Sequence, residues 1–313
     1  MTSYSCKCIF KVYFIKKGEY DIMKKTIRLI TILVVILVIV FGVIFIRNTK
    51  FKAVNNKVDV EDNNVNNSKD DKKENVEKEE KDKINYRTLN VNEVRIPILM
   101  YHSISNSDPN NNLLVPTSQF EEQVKWLKES GFTPMLLSDV VEAFNTGKVP
   151  EKPVAITFDD GYADNYTEAY RILKQYKMKA TFFVITDKTD VDSWYMNSNM
   201  LKEMSKDGMG IENHTSRHIE FTKISREDKI AIIKEGIDTL KEKVGVDSKF
   251  ICYPVGRYDD ETIEVEKELG IKAAVTTEGG IASASDGLYS LKRVRISPMD
   301  IETFKNIFSE FLK

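Results

Sequence analysis

The chain holds three histidines, His102, His214 and His218, and one Asp-Asp-Gly sequence at Asp159-Asp160-Gly161. Imidazole nitrogens and a carboxylate oxygen suit a borderline divalent cation. Two imidazoles with one carboxylate leave coordination positions open, as a catalytic rather than a structural site does. Adjacent aspartates at a strand end cannot both point the same way, so one can ligate a cation while its neighbour serves as a base toward the attacking water. Taken singly, an Asp-Asp-Gly is more often a turn or cap, and a strand-end or His-x3-His histidine more often a packing residue. Brought to one face, the five side chains make a hydrolase constellation.

Such a face needs strands that end together. Short apolar runs predict strands over 95–101, 154–158, 180–185, 209–213, 250–253 and 273–277, with another near 293–296. His102, Asp159 and His214 each follow one of these directly. Helical periods fall between: Ser118 with Glu121 forms a capping box that opens a helix stopping at Gly131, and Ser138 opens another toward Gly147. Ser225 with Asp228 starts a third, striped by Ile230, Ile233, Ile237, Leu240 and Val244. Helices over 166–176, 261–269 and 300–311 complete the set. About seven strands separated by helices predict an α/β fold with a parallel sheet closed into a barrel, whose C-terminal strand ends form the active face.

The rest of the chain is of a different character. Leu29 to Ile46 is an uncharged apolar run, extended by Ile27 and Arg28, close to the roughly 20 residues that span a bilayer. Six basic residues (Lys11, Lys16, Lys17, Lys24, Lys25, Arg28) precede it within twenty positions and four follow (Arg47, Lys50, Lys52, Lys57), which orients the N-terminus inward. No Ala-x-Ala site follows, so the run reads as an uncleaved anchor. Met23-Lys24-Lys25 resembles the start of a signal sequence, so residues 1–22 are a cytoplasmic extension or lie ahead of the true start. The organisation expected is a cytoplasmic segment 1–26, a transmembrane anchor 27–46, a flexible charged linker 47–92 and an extracellular domain 93–313. The linker carries 11 Lys/Arg and 10 Asp/Glu with little apolar surface. As a coil it reaches about 35–40 Å. Cys6 and Cys8 precede the span and Cys252 lies beyond it, so no disulfide joins them, and Cys252 reads as a small buried apolar side chain. The net charge of −2 gives no general basic field, so nucleic acid is not an expected partner.

The stretches Thr157-Phe158-Asp159-Asp160-Gly161-Tyr162 and His214-Thr215-Ser216-Arg217-His218 resemble the two signature motifs of the polysaccharide deacetylases, the NodB-homology or carbohydrate esterase family 4 group. Pro97-Ile98-Leu99-Met100-Tyr101-His102 and Phe250-Ile251-Cys252-Tyr253-Pro254-Val255-Gly256 are similar to the permuted branch that deacetylates poly-N-acetylglucosamine. The resemblance covers residues 94–300 and implies a distorted (β/α) barrel of about seven strands. It implies Asp160, His214 and His218 as ligands of a divalent metal, zinc first and Co²⁺ or Ni²⁺ as alternatives. Asp159 matches the base. The family's Leu-x-His acid is absent, and in the permuted branch the Tyr-His histidine takes that part, here His102. The family's Arg-Pro-Pro-Tyr motif is Cys252-Tyr253-Pro254-Val255 in this chain and lacks its arginine. Arg293, in Leu291-Lys292-Arg293, is the candidate replacement, and the Val255 N–H the candidate oxyanion donor. A motif tryptophan is also missing; Trp194 and Tyr195 are candidates for a stacking surface, with core packing the commoner alternative.

These features predict a membrane-anchored, metal-dependent enzyme that releases acetate from an extracellular N-acetylglucosamine polysaccharide. Peptidoglycan and O-acetylxylan are the alternative substrates, and a glycan-binding surface module is the non-enzymatic alternative.

Overall fold

The computed structural model describes residues 84–312. The expected cytoplasmic segment, the anchor and the linker up to residue 83 lie outside the described residues. Among those described, no helix is long and apolar enough to cross a membrane.

The parallel sheet is built from β1 (Ile98–Tyr101), β2 (Thr133–Met135), β3 (Pro153–Phe158), β4 (Thr181–Val184), β5 (Gly210–Asn213), β6 (Phe250–Cys252), β7 (Ala273–Gly279) and β8 (Leu291–Arg295). In space the order is β1-β8-β7-β6-β5-β4-β3, and β3 pairs back onto β1, so seven strands close a barrel. β2, which carries no apolar run long enough to reveal it, lies along the first half of β3 from Thr133↔Pro153 to Met135↔Ala155. The second half of β3 pairs with β4 through Thr157↔Thr181 and Phe158↔Phe182. Sharing that edge between β2 and β4 distorts the barrel at its base.

Strand alternation sends every second side chain inward. Ile98, Ala155, Phe183, Cys252, Val275 and Leu291 share one buried cluster with Val94, Ile96, Leu137, Val140 and Phe144. The last three belong to α2 (Leu137–Thr146), so this helix and the Val94–Ile96 segment close the barrel's lower end. The alternate residues Leu99, Tyr101, Ile156, Phe158, Phe182 and Val184 face outward into the apolar cluster shared with α1 (Thr117–Glu129). Ile251, Tyr253 and Ala274 do the same beneath α5 (Arg226–Lys243) and α6 (Asp260–Glu268).

Several local expectations change. α1 has Pro116 at its N-cap and no side-chain cap, because Ser118 already lies inside the first turn. Ser138 likewise lies within α2, where the Asp139 carboxylate accepts the Leu136 N–H at 2.8 Å. The 166–176 segment is a π-helical turn, Asn165–Tyr170, running into α3 (Arg171–Gln175). A helix not expected, α4 (Ser198–Lys206), is capped by the Asn197 side chain. α7 (Ile301–Asn306) is shorter than the 300–311 span. α5 begins at Ser225 as expected; Ile233 and Leu240 of its stripe are buried and Ile230, Ile237 and Val244 pack at the edge of the core, with Lys229, Ile232 and Gly236 added to the buried face. Gly236 is needed there: a Cβ would stand 2.2 Å from Asn213 Oδ1, in the strand-end residue whose amide nitrogen donates to Ile233 O at 3.0 Å. The fold also starts before Glu93, since Tyr86–Thr88 pairs antiparallel with Lys148–Pro150.

Candidate active site

β1 and β3 run in register from Ile98↔Ala155 to Tyr101↔Phe158, so the next residues, His102 and Asp159, emerge side by side at the barrel mouth. His102 Nε2 lies 3.8 Å from Asp159 Oδ2. The β4–β5 register ends at Val184↔Asn213, and the His214 N–H donates to Val184 O, which brings His214 to the same level. Backbone strain collects here. Of the six non-glycine residues with left-handed φ among those described, Asp160 (71°), Thr215 (63°) and His218 (55°) belong to the two signature stretches, and Val255 (52°) follows β6, whose Cys252 O accepts from His214. β-branched Thr215 and Val255 rarely take this conformation, and such strain persists where the surroundings enforce it.

The left-handed turn at Asp160 separates the two aspartates. Asp160 Oδ1 faces His214 Nε2 at 3.3 Å and His218 Nε2 at 3.5 Å. The His214 Nδ1–H donates to Cys252 O at 2.8 Å; a carbonyl only accepts, so this bond directs Nε2 at Asp160. Ligands ~2.1 Å from one centre at tetrahedral angles stand about 3.4 Å apart, so this nitrogen, nitrogen and oxygen set fits a divalent cation. Asp160 and His214 are buried and His218 is half-buried, which leaves the His218 side open. Burial opposes a charged His214, but Cys252 and Asp160 more than offset it, and its pKa stands well above the ordinary value. Burial together with His214 lowers the pKa of His218.

Asp159 turns the other way. Both its oxygens accept from the fully buried Arg293, Oδ1 from Nη1 and Oδ2 from Nη2, each at 2.7 Å. Arg293 is fixed in turn by Nε–H donation to Thr276 O at 2.8 Å, and it reaches Thr157 Oγ1 at 3.1 Å and Cys252 Sγ at 3.2 Å. Burial alone would raise the Asp159 pKa; the guanidinium overrides it and holds the carboxyl well below the usual range. Asp159, His214 and Cys252 also come close enough to hold a cation, but Arg293 already fills that role. The His102 pKa is lowered by burial, against the pull of both aspartates.

Two residues not singled out from the sequence position His102. The Asn165 amide donates to His102 O at 2.7 Å, and Asp164 accepts from Ser103 Oγ and from the Ile104 N–H. Val255 lies in the turn after β6, with its side chain 54% exposed. Trp194 is not a core residue: it is 78% exposed, whereas Tyr195 stacks on Tyr162 with centroids 5.2 Å apart.

A seven-stranded parallel barrel with an Asp-Asp, His-x3-His mouth defines a class, and comparison with known proteins agrees. The polysaccharide deacetylase family model matches residues 146–274. YxkH of Bacillus subtilis strain 168, named for the same family, is 40% identical over 205 residues, 65% of this chain and 72% of its own length. The poly-β-1,6-N-acetyl-D-glucosamine N-deacetylase of Staphylococcus aureus strain MSSA476 is 30% identical over 209 residues, 62% of this chain and 71% of that one. Among solved structures, the Streptococcus pyogenes deacetylase PplD superposes with a TM-score of 0.66 at 37% identity, covering 68% of this chain and 98% of its own. The chain belongs to the polysaccharide deacetylase family, hydrolases acting on carbon–nitrogen bonds.

Proposed function

We propose that this protein is a divalent-metal-dependent N-deacetylase of a β-1,6-linked N-acetylglucosamine polymer, held outside the cell by the apolar segment 27–46. The observation that carries the chemistry is Asp159, clamped by Arg293 and facing His102, beside the Asp160, His214 and His218 cluster. The S. aureus relative supports the polymer. When bound at that cluster, a cation, with zinc the best match to the donor set, supplies Lewis-acid polarisation of the acetamide carbonyl and a more acidic water.

The chain's own residues do the rest. Asp159 stays ionised because Arg293 faces it, and it accepts the proton of the attacking water. The Val255 N–H donates to the oxygen that gains charge as the carbonyl becomes tetrahedral. His102 protonates the departing nitrogen; its lowered pKa makes the imidazolium a stronger acid and a less populated one. Water adds to carbon, the C–N bond breaks, and acetate and a free amine leave. Each turnover makes the polymer more cationic and better held by anionic surfaces.

Acetate release from poly-β-1,6-N-acetylglucosamine, peptidoglycan and acetylxylan, with and without chelator, tests this. Chelator-sensitive release from the first is expected. Faster release from either other polymer overturns the substrate, and no release after metal loading overturns the activity. His214→Ala should lose both metal retention and turnover; a fully active, metal-free variant would remove the cluster from the mechanism.

A further inference from the structure

Between His214 and His218 in sequence, Ser216 and Arg217 border a groove of about 660 Å³, lined also by Asp187, Lys188 and Trp194 among others. Its walls are continuous with the two signature motifs. Trp194 O accepts the Ala163 N–H at 2.8 Å, and the Met196 N–H donates to Gly161 O at 2.9 Å, which ties the tryptophan loop to the Asp159-Asp160-Gly161 turn. Across the groove floor, the Asp187 N–H donates to Ser216 O at 3.0 Å, two residues from both His214 and His218. The Arg217 guanidinium is held on Glu235 at 2.9 Å and lies 3.5 Å from Asp187. A tryptophan 78% exposed to solvent thus stands, on a loop held by backbone bonds, at the rim of a polar groove bordered by Ser216 and Arg217 of the second signature motif.

A pyranose ring has an apolar face of C–H groups and an edge of hydroxyls. An aromatic plane suits the first, and a ring of charged and hydroxyl side chains suits the second. We propose that this groove binds the sugar unit next to the one being deacetylated, with Trp194 as its stacking platform; this rests on the N-acetylglucosamine reading above. Trp194 then makes the enzyme favour chains over short fragments.

The test compares β-1,6-linked N-acetylglucosamine dimer and pentamer with the full-length chain. The ratio of kcat/KM for pentamer over dimer should fall by about 3–10-fold in Trp194→Ala, the size of an aromatic contact, and largely return in Trp194→Phe. The chain's second tryptophan, Trp126, packs against Phe132 and Phe308, so an emission change on adding pentamer reports Trp194. A wild-type length ratio in Trp194→Ala, or wild-type emission indifferent to saturating pentamer, overturns the subsite. Absence of acetate release from every oligomer would instead reject the activity, and the emission titration would still judge the groove.

Discussion

Two buried cations hold carboxylates in this domain, and they differ in what surrounds the acid. Arg293 and its partner Asp159 are both shut away, with side chains 0% and 3% exposed. Lys229, on α5, is 2% exposed, but its partners Asp259 and Glu261, both at 2.8 Å, are 43% and 45% exposed. Asp259 also caps α6 by accepting the Thr262 N–H. The outer cluster therefore fastens α5 to α6 with acids that water can reach. At the mouth, water has been traded for a guanidinium, so the acid's charge depends on one partner.

The difference predicts unequal responses to losing the cation. Arg293→Met strands an unpaired carboxylate in the interior, and should destabilise the domain by about 3–5 kcal/mol in urea melts, with turnover reduced but measurable. The Asp159 pKa should rise, moving the acid limb of the pH–rate profile upward. An Arg293→Met protein as stable as wild type would erase the contrast. His102→Ala tests the mouth without disturbing its ion pair: kcat on the N-acetyl substrate should drop by ~10²–10⁴-fold with metal content and fold retained. An activated ester, whose leaving group needs little protonation, should suffer less. Lower melting temperature with near-normal turnover would make His102 a packing residue instead.

Lys229→Met should change stability by within about 1 kcal/mol, because its freed acids are already solvated and methionine fills the same space. The smallest effect concerns pH. Burial would raise the Asp259 pKa, but Lys229 and Thr262 bring it below the ordinary value. Its share of stability is present above the unfolded carboxylate pKa of about 3.9 and fades as pH falls through the folded value. Burial would lower the Lys229 pKa, but Asp259 and Glu261 raise it, so its share is present below about 10.4 and fades as pH rises through the folded value. The stability difference between wild type and Lys229→Met should therefore be flat from about pH 5 to 10 and change only outside that window. A slope near neutrality would mean that another group titrates with the pair.

This contrast also marks what the sequence could reveal. His102, Asp159 and His214 were legible because each directly follows an apolar run, and strand register then sets them at one level. The partnership of Arg293 with Asp159 joins positions far apart in the chain, and only resemblance suggested it. The stripe of α5 was legible in Ile233 and Leu240, but Lys229 and Gly236 on the same face were not, because periodicity counts apolar residues. Lys229 is buried by its two acids and Gly236 by the close approach of Asn213, and neither signal is apolar. Residue type left Trp194 open between a stacking surface and the core, and its 78% exposure, on a loop bonded through its backbone to the catalytic turn, removes the second. β2 escaped notice because Pro134 interrupts it, which an edge position tolerates.

The pairing of Tyr86–Thr88 with Lys148–Pro150 has a mechanical consequence. Pro150 lies three residues before Pro153, where β3 starts, so the polypeptide enters the domain at the barrel's lower end, opposite the mouth. A pull on the chain from its N-terminal side loads this three-residue ladder first. The ladder is antiparallel and loaded at Tyr86, so its pairs open one after another like a zip. Its outer strand is exposed and short, so it is expected to open before the closed barrel does. Tugging is thus absorbed by a sacrificial clasp while the register that keeps His102 beside Asp159 stays unloaded.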